Sequence, residues 1–282
     1  MKIDLHTHSN SSDGTDSPGE LVNKALAHGI DVIALTDHDT VAGWDGAISH
    51  LRSGISLVLG SEISCQTSDG ISVHMLGLLF DEADENLQQL MAQTRENRVG
   101  RMERIISRMN EAGIEISMAD VLAQLSQGAT LGRPHLADAL IAKKVVKSRE
   151  EAFEELLHNN SKYYIPHLSP TPEQVIKQIK AAGGVAVIAH PLASLRGRTV
   201  SLESFASMAA AGLDGVEVSH RDHTPEQREL LQSVISEFGL IATGSSDYHG
   251  NGKLNQLAEF TTEPVAFEAL EAKANARRVV KA

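Results

Sequence analysis

The chain has 282 residues, 41% of them hydrophobic, enough to bury a substantial core as one barrel-sized domain or two smaller ones and too many for a disordered segment. A formal charge of -12 excludes bulk electrostatic attraction to nucleic acid or an anionic membrane, so any bound phosphate must meet a local positive field. Cys65 is the only cysteine, which excludes an intramolecular disulfide and a thiolate cluster. The start, "MKIDLHTHSN", has no apolar leader core, and no run approaches the roughly 18 apolar residues of a membrane span. These features predict a soluble cytoplasmic protein with no membrane partner.

In chain order, "KIDL", "DVIAL" and "SLVLG" are short apolar runs separated by amphipathic stretches, the pattern of parallel strands joined by crossover helices. "VHMLGLLF" follows too soon after "SLVLG" for a crossover helix, so a hairpin is expected there. From about Glu82 to about Tyr164 the pattern is helical throughout. "VAVIA", "GVEVS" and "LIATG" then complete seven strands. Helix starts are marked at Ser17-Pro18-Gly19-Glu20, Thr171-Pro172-Glu173-Gln174 and Thr224-Pro225-Glu226-Gln227, each with a capping hydroxyl, proline at the first helical position and Glu or Gln two later. The expected fold is α/β, a closed or nearly closed (β/α) barrel carrying a small all-helical insertion: barrel residues 1–81, insertion 82–164, barrel 165–282.

Metal-capable side chains recur where these strands end. His6 and His8 lie two apart, on one face of an extended chain. Asp37 and His38 follow "DVIAL", Glu62 follows "SLVLG", His190 follows "VAVIA", and Asp247 and His249 follow "LIATG". In a barrel these ends form one mouth, where active sites of this architecture are built. The hairpin would return His74 to the same mouth. Asp13 in "SSDG" joins the set, although Asp-Gly is also an ordinary turn signal. Imidazoles and carboxylates without thiolate suit borderline divalent ions such as Zn2+, Mn2+ or Fe2+, and the nine candidates other than Asp37 would serve about three ions with one carboxylate shared. Such ions would outweigh Asp13, Glu62 and Asp247 and create the positive field that a phosphate needs. Adjacent ions also ionise a bridging water and clamp the attacking and leaving oxygens of a displacement at phosphorus.

"HTHSNSSDG", "TDHDT", "GSEIS", "AHP" and "SDYH", in this order, resemble the motifs of the PHP (polymerase and histidinol phosphatase) family of metal-dependent phosphoesterases. The resemblance implies a distorted seven-stranded (β/α) barrel with a trinuclear centre. It implies one ion held by His6, His8, Glu62 and Asp247, a second by Asp13, His38 and His190, and a third by Glu62, His74 and His249. "TLGRPHLADAL" and "GVEVSHRDHTPEQ" are similar to a subgroup that removes the 3'-phosphate of nucleoside 3',5'-bisphosphates, some members also trimming RNA 5' ends. On that footing Arg133 is a phosphate clamp or an exposed helix-start arginine, and Arg196 a second anion-binding residue or a loop charge. His220 and His223 bind phosphate or protonate the leaving oxygen, or are surface histidines near a helix cap.

The implied reaction is attack of a metal-bound hydroxide on the phosphorus of a nucleotide phosphate ester, with His6, His8, Glu62, His190 and Asp247 at its centre. The substrate is a small phosphate ester, with short RNA 5' ends as a second class. Histidinol phosphate is an alternative substrate; a metal-stabilised nucleotide-binding or polymerase-accessory module is the non-enzymatic alternative. The run "RENRVGRMERIISR" reads as a solvated helix face, and Trp44 and Cys65 as packing residues.

Overall fold

A computed structural model describes residues 1–194 and 197–282. Arg196 therefore lies outside the described residues. The strands run in chain order: β1 (Ile3–Asp4), β2 (Val32–Leu35), β3 (Ser56–Gln66), β4 (Ser72–Leu78), β5 (Val185–Ala189), β6 (Gly215–Ser219) and β7 (Ile241–Gly244). Each of these pairs with the next in sequence. A short β8 (Val280–Lys281), not expected from the sequence, pairs antiparallel with β3. An isolated parallel bridge between Thr7 and Tyr248 joins the two ends of the sheet, giving a nearly closed barrel. β1 to β3 and β5 to β7 are parallel, whereas β4 is antiparallel to both neighbours. The β3–β4 hairpin closes at Thr67, whose N–H donates to Ile71 O at 2.9 Å. It brings the start of β4, and His74 with it, to the end of the barrel where the parallel strands finish.

Between these strands lie α1 (Pro18–Ala27), α2 (Trp44–Ser49), α7 (Pro172–Ala181), α8 (Leu202–Ala211), α9 (Pro225–Phe238) and α10 (Pro264–Lys273). Ser17, Thr171 and Thr224 each form the reciprocal capping box expected of them, satisfying amide groups that a helix start would leave bare. Strand alternation divides the core. Ile33, Leu35, Met75, Ala186 and Ile188 face the helices together with Leu21, Val175, Phe205 and Leu231. Val32, Ala34, Val58, Leu76, Leu78, Val185 and Val187 form a second cluster inside the barrel, stopped by Phe267 and Leu270 of α10. Trp44 is buried, packs its ring at a tilt against Phe80 and donates its indole N–H to Gly60 O, so it packs the core.

α3 (Glu85–Glu111), α4 (Met118–Leu122), α5 (Arg133–Ala142) and α6 (Arg149–Glu155) occupy the chain between β4 and α7. They enclose their own apolar cluster around Met102, Ile105, Met109, Leu136 and Leu140. The first half of α3 instead packs on the barrel core through Leu87 and Met91. One long helix thus belongs to both cores. Its arginines correct the expectation of a solvated face: Arg95 and Arg98 reach Asp39, Arg101 donates to Ile165 O, and Arg108 to Tyr164 O. Among the described residues no helix is long and apolar enough to cross a membrane.

Candidate active site

The nine metal-capable residues converge. Their ligand atoms form three groups, each within 4.8 Å: His8, Asp13, His38 and His249; His6, Glu62, His190 and Asp247; and His38, Glu62 and His74. Glu62 is at the centre, 1% exposed. Its Oε2 lies 3.2 Å from His6, 3.0 Å from His8 and 3.1 Å from His38; its Oε1 lies 2.7 Å from His74 and 3.1 Å from His190. Asp247 Oδ1 is 3.4 Å from His6 and 3.5 Å from His8.

This grouping differs from the motif-implied division. His249 lies against Asp13, at 3.2 Å, because its carbonyl accepts the N–H of Thr15 and draws in the turn that carries Asp13. His190 ends β5, beside the antiparallel β4, and its ring therefore meets Glu62 in place of Asp13. Asp37 is not among the grouped residues. Adjacent to His38, it points the other way and accepts from Ser9 N, Ser9 Oγ and Ser12 Oγ, holding the "HTHSNSSDG" loop. Gly14 closes that loop, since a Cβ there would lie 2.6 Å from His8 O. His190 and Asp247 take left-handed backbone angles, φ 30° and 53°, as non-glycine residues at functional sites often do.

The electrostatics suit cations. Burial alone would raise the carboxyl of Glu62, yet His38, His74 and His6 hold it well below the usual range. His249 and His38 act likewise on Asp13. Burial disfavours the charged form of His8, but hydrogen bonds to Asp247 and Glu62 overcome it and raise its pKa to about 9. In effect protons supply the positive charge that the carboxylates demand, and divalent ions would displace them. Burial pushes His249 down to about 4, leaving a neutral ligand.

The ring nitrogens fit the same reading. His6 Nδ1 is 3.2 Å from Glu217 Oε1, and His249 Nδ1 donates to Asp247 O at 2.8 Å. Their Nε2 atoms are thereby directed into the cluster. His6 Nε2 and His8 Nε2 lie 3.0 Å apart, while buried His38 Nδ1 faces Glu62 Oε2 at 3.1 Å and buried His249 Nε2 faces Asp13 Oδ1 at 3.2 Å. Imidazole nitrogens and carboxylate oxygens converging at this spacing are a donor set that divalent ions fit. Glu217 itself was missed in the sequence, although a glutamate inside "GVEVS" is its signal. Besides His6 it accepts the amide of His190 at 2.7 Å, so one buried carboxylate orients two ligands.

The expected substrate contacts fare unequally. His220 is fully buried; its Nδ1 accepts Asp222 N–H, so Nε2 carries the proton, 3.7 Å from Asp247 Oδ2. His223 accepts Leu192 N–H on Nε2 and donates from Nδ1 to Val218 O, which leaves neither nitrogen for a phosphate. That corrects its expected role: it braces the loop after β5. Neither is a surface histidine. Arg133 donates to Leu157 O and Asn159 Oδ1, and lies over the rings of Phe153 and Tyr164 beside Arg101. Burial lowers Arg101 to about 9, and the neighbouring Arg133 charge adds to this. Lys253, unremarked in the sequence, places Nζ 3.0 Å from Asp247 Oδ2.

The profile of the PHP domain matches residues 4–168. The chain belongs to the PHP family. A Haemophilus influenzae 5'-3' exoribonuclease is 36% identical to this PHP protein over 250 residues, which cover 88% of the chain and 90% of the relative. A Chromobacterium violaceum 3',5'-nucleoside bisphosphate phosphatase is 31% identical, covering 89% and 88%. An Eggerthella lenta phosphoribosyl 1,2-cyclic phosphate 1,2-diphosphodiesterase is 30% identical, covering 89% and 95%. Among solved structures, a Bifidobacterium adolescentis protein classed with the metal-dependent phosphoesterases superposes with a TM-score of 0.91 at 41% identity, covering 97% and 96% of the two chains. A Chromobacterium violaceum amidohydrolase with bound sulfate and no metal gives 0.87 at 29% identity, covering 100% and 98%. This PHP protein is a metal-dependent phosphoesterase, a phosphoric ester hydrolase.

Proposed function

We propose that the enzyme removes the 3'-phosphate of nucleoside 3',5'-bisphosphates, with ions of Mn2+, Zn2+ or Fe2+ held in the three side-chain groups. The observation that carries this reading is the buried convergence of six imidazoles and three carboxylates on one end of the barrel, with the Lys253 ammonium against Asp247. Bound there, the ions supply an ionised water near neutral pH and neutralise charge on the phosphate oxygens. His6, His8, Glu62, His190 and Asp247 hold the reacting end, Glu62 being shared between two groups. His220 presents a proton on Nε2 toward that end and can donate to a phosphate oxygen or to the departing ribose oxygen. Arg133, which among the described residues has no carboxylate partner, offers a guanidinium for the second phosphate, in keeping with bidentate recognition of such groups.

The named activity of the Chromobacterium relative supports the bisphosphate, and the sulfate in the structural neighbour supports an anion site in this fold. The Haemophilus relative favours short RNA 5' ends as a second substrate class. A nucleotide substrate and a single buried cysteine support a cytoplasmic setting.

The test is phosphate release from adenosine 3',5'-bisphosphate, with and without Mn2+, beside 5'-phosphorylated oligoribonucleotides and histidinol phosphate. Metal-dependent release of one phosphate, fastest from the bisphosphate, is expected. Asp247→Asn should slow it on the order of 10³-fold, as removal of a main electrostatic contributor does. Faster turnover of histidinol phosphate, or none of the bisphosphate, would overturn the reading.

A further inference from the structure

A buried ion pair links α3 to the chain segment that carries the metal-capable His38. Asp39 is fully buried and takes a left-handed backbone angle, φ 52°. It follows His38 in the chain, and its N–H donates to Glu62 O at 3.0 Å. Its Oδ1 accepts Ser64 N at 2.8 Å, and its Oδ2 accepts Ser64 Oγ at 3.0 Å and Arg98 Nε at 2.8 Å. Arg98, from α3, also donates Nη2 to Ser64 Oγ at 2.6 Å. Its neighbour Arg95 donates to the Asp39 carbonyl. Ser64 stands two residues beyond Glu62 on β3 and directly opposite His74 on β4.

This network bonds the backbone of Glu62, adjoins His38 in the chain, and fixes Ser64, the cross-strand partner of His74; these three are the members of one ligand group. We propose that Arg98 and Asp39 are positioning residues for that group, so that a helix outside the barrel sets the affinity of the ion held there. A guanidinium fork is the side chain suited to the task, because it binds a carboxylate, a hydroxyl and a backbone carbonyl at fixed angles, which an ammonium cannot do. Partners that orient a metal ligand typically change metal affinity about 10–100-fold when removed.

This inference rests on the metal-centre reading above, and the experiment separates the two. Metal-stripped wild type, Arg98→Met, Arg98→Lys, Asp39→Asn and the double variant Asp39→Asn/Arg98→Met are titrated with Mn2+ by calorimetry, with folding checked by circular dichroism and thermal melting. Arg98→Met should bind one class of Mn2+ about 10–100-fold more weakly and leave the other class unchanged, with Arg98→Lys in between. At limiting Mn2+ its kcat on adenosine 3',5'-bisphosphate should fall and recover at saturating Mn2+, while KM stays within about threefold. The double variant leaves no unpaired buried charge, so it should regain thermal stability without regaining Mn2+ affinity. Variant isotherms equal to wild type, affinity restored in the double variant, or a loss spread evenly over all Mn2+ classes would overturn the inference alone. A wild type that binds no Mn2+ would overturn the metal-centre reading with it.

Discussion

Glu217→Gln tests the ligand geometry without touching a ligand. Glu217 is fully buried and spends one oxygen on His6 Nδ1 and the other on the amide of His190. Both partners are donors. Glutamine keeps the shape but offers one accepting oxygen, so either the His6 ring or the His190 amide faces an NH2 donor. A buried donor left unsatisfied costs about 1–3 kcal/mol. That range matches the 10–100-fold loss of metal affinity seen when such orienting partners are removed, which is about 1.4–2.7 kcal/mol. The loss should fall on the ion held by His6, Glu62, His190 and Asp247. Calorimetric titration of the metal-stripped variant with Mn2+ measures it, with thermal melting to confirm folding. A folded Glu217→Gln protein whose Mn2+ affinity stays within twofold of wild type would refute the claim that this carboxylate orients the ligands.

Two further outcomes concern stability. Burial, then the charges of Arg98 and Arg101, push the pKa of His167 down to about 2, so its ring stays neutral in the folded protein where the unfolded chain takes up a proton below about pH 6.5. The unfolded state then binds more protons and stability falls with pH; between pH 7 and 5 this residue should cost about 2 kcal/mol. Urea unfolding at both values should show that difference shrinking by about this amount in His167→Gln, and an unchanged difference would contradict it. Phe267→Ala should destabilise the protein by about 3–5 kcal/mol, because it opens a cavity under the barrel interior. Mn2+ stoichiometry should be preserved in that variant at temperatures where it is folded; loss of metal binding would show that the site leans on α10.

The parts legible in the sequence are those that local physics determines. Seven strands lie where apolar runs are bounded by turn residues, and three helices begin at hydroxyl–proline–acid or amide signals. The strand ends also revealed the ligand candidates, because position at the end of a strand is a one-dimensional property. Partnership is not. Which imidazole meets which carboxylate depends on how β4 reverses and on how the Thr15 turn is drawn to His249, and neither leaves a periodic trace. The arginines of α3 misled for the same reason: spaced along one helical face, they look solvated until Asp39, 59 residues before Arg98, comes to meet them. Asp37, beside the ligand candidate His38, instead holds the Ser9–Ser12 loop, because alternation along an extended chain sends adjacent side chains apart. β8 is two residues long, below what pattern can signal.

The most direct test of the central claim is anomalous diffraction from crystals grown with Mn2+. Peaks are expected within bonding distance of Glu62, between it and His6, His8, His38, His74, His190 and Asp247, and beside the Asp13–His249 pair. Ordered crystals with no peak among these side chains, or with Mn2+ bound only elsewhere, would contradict the account.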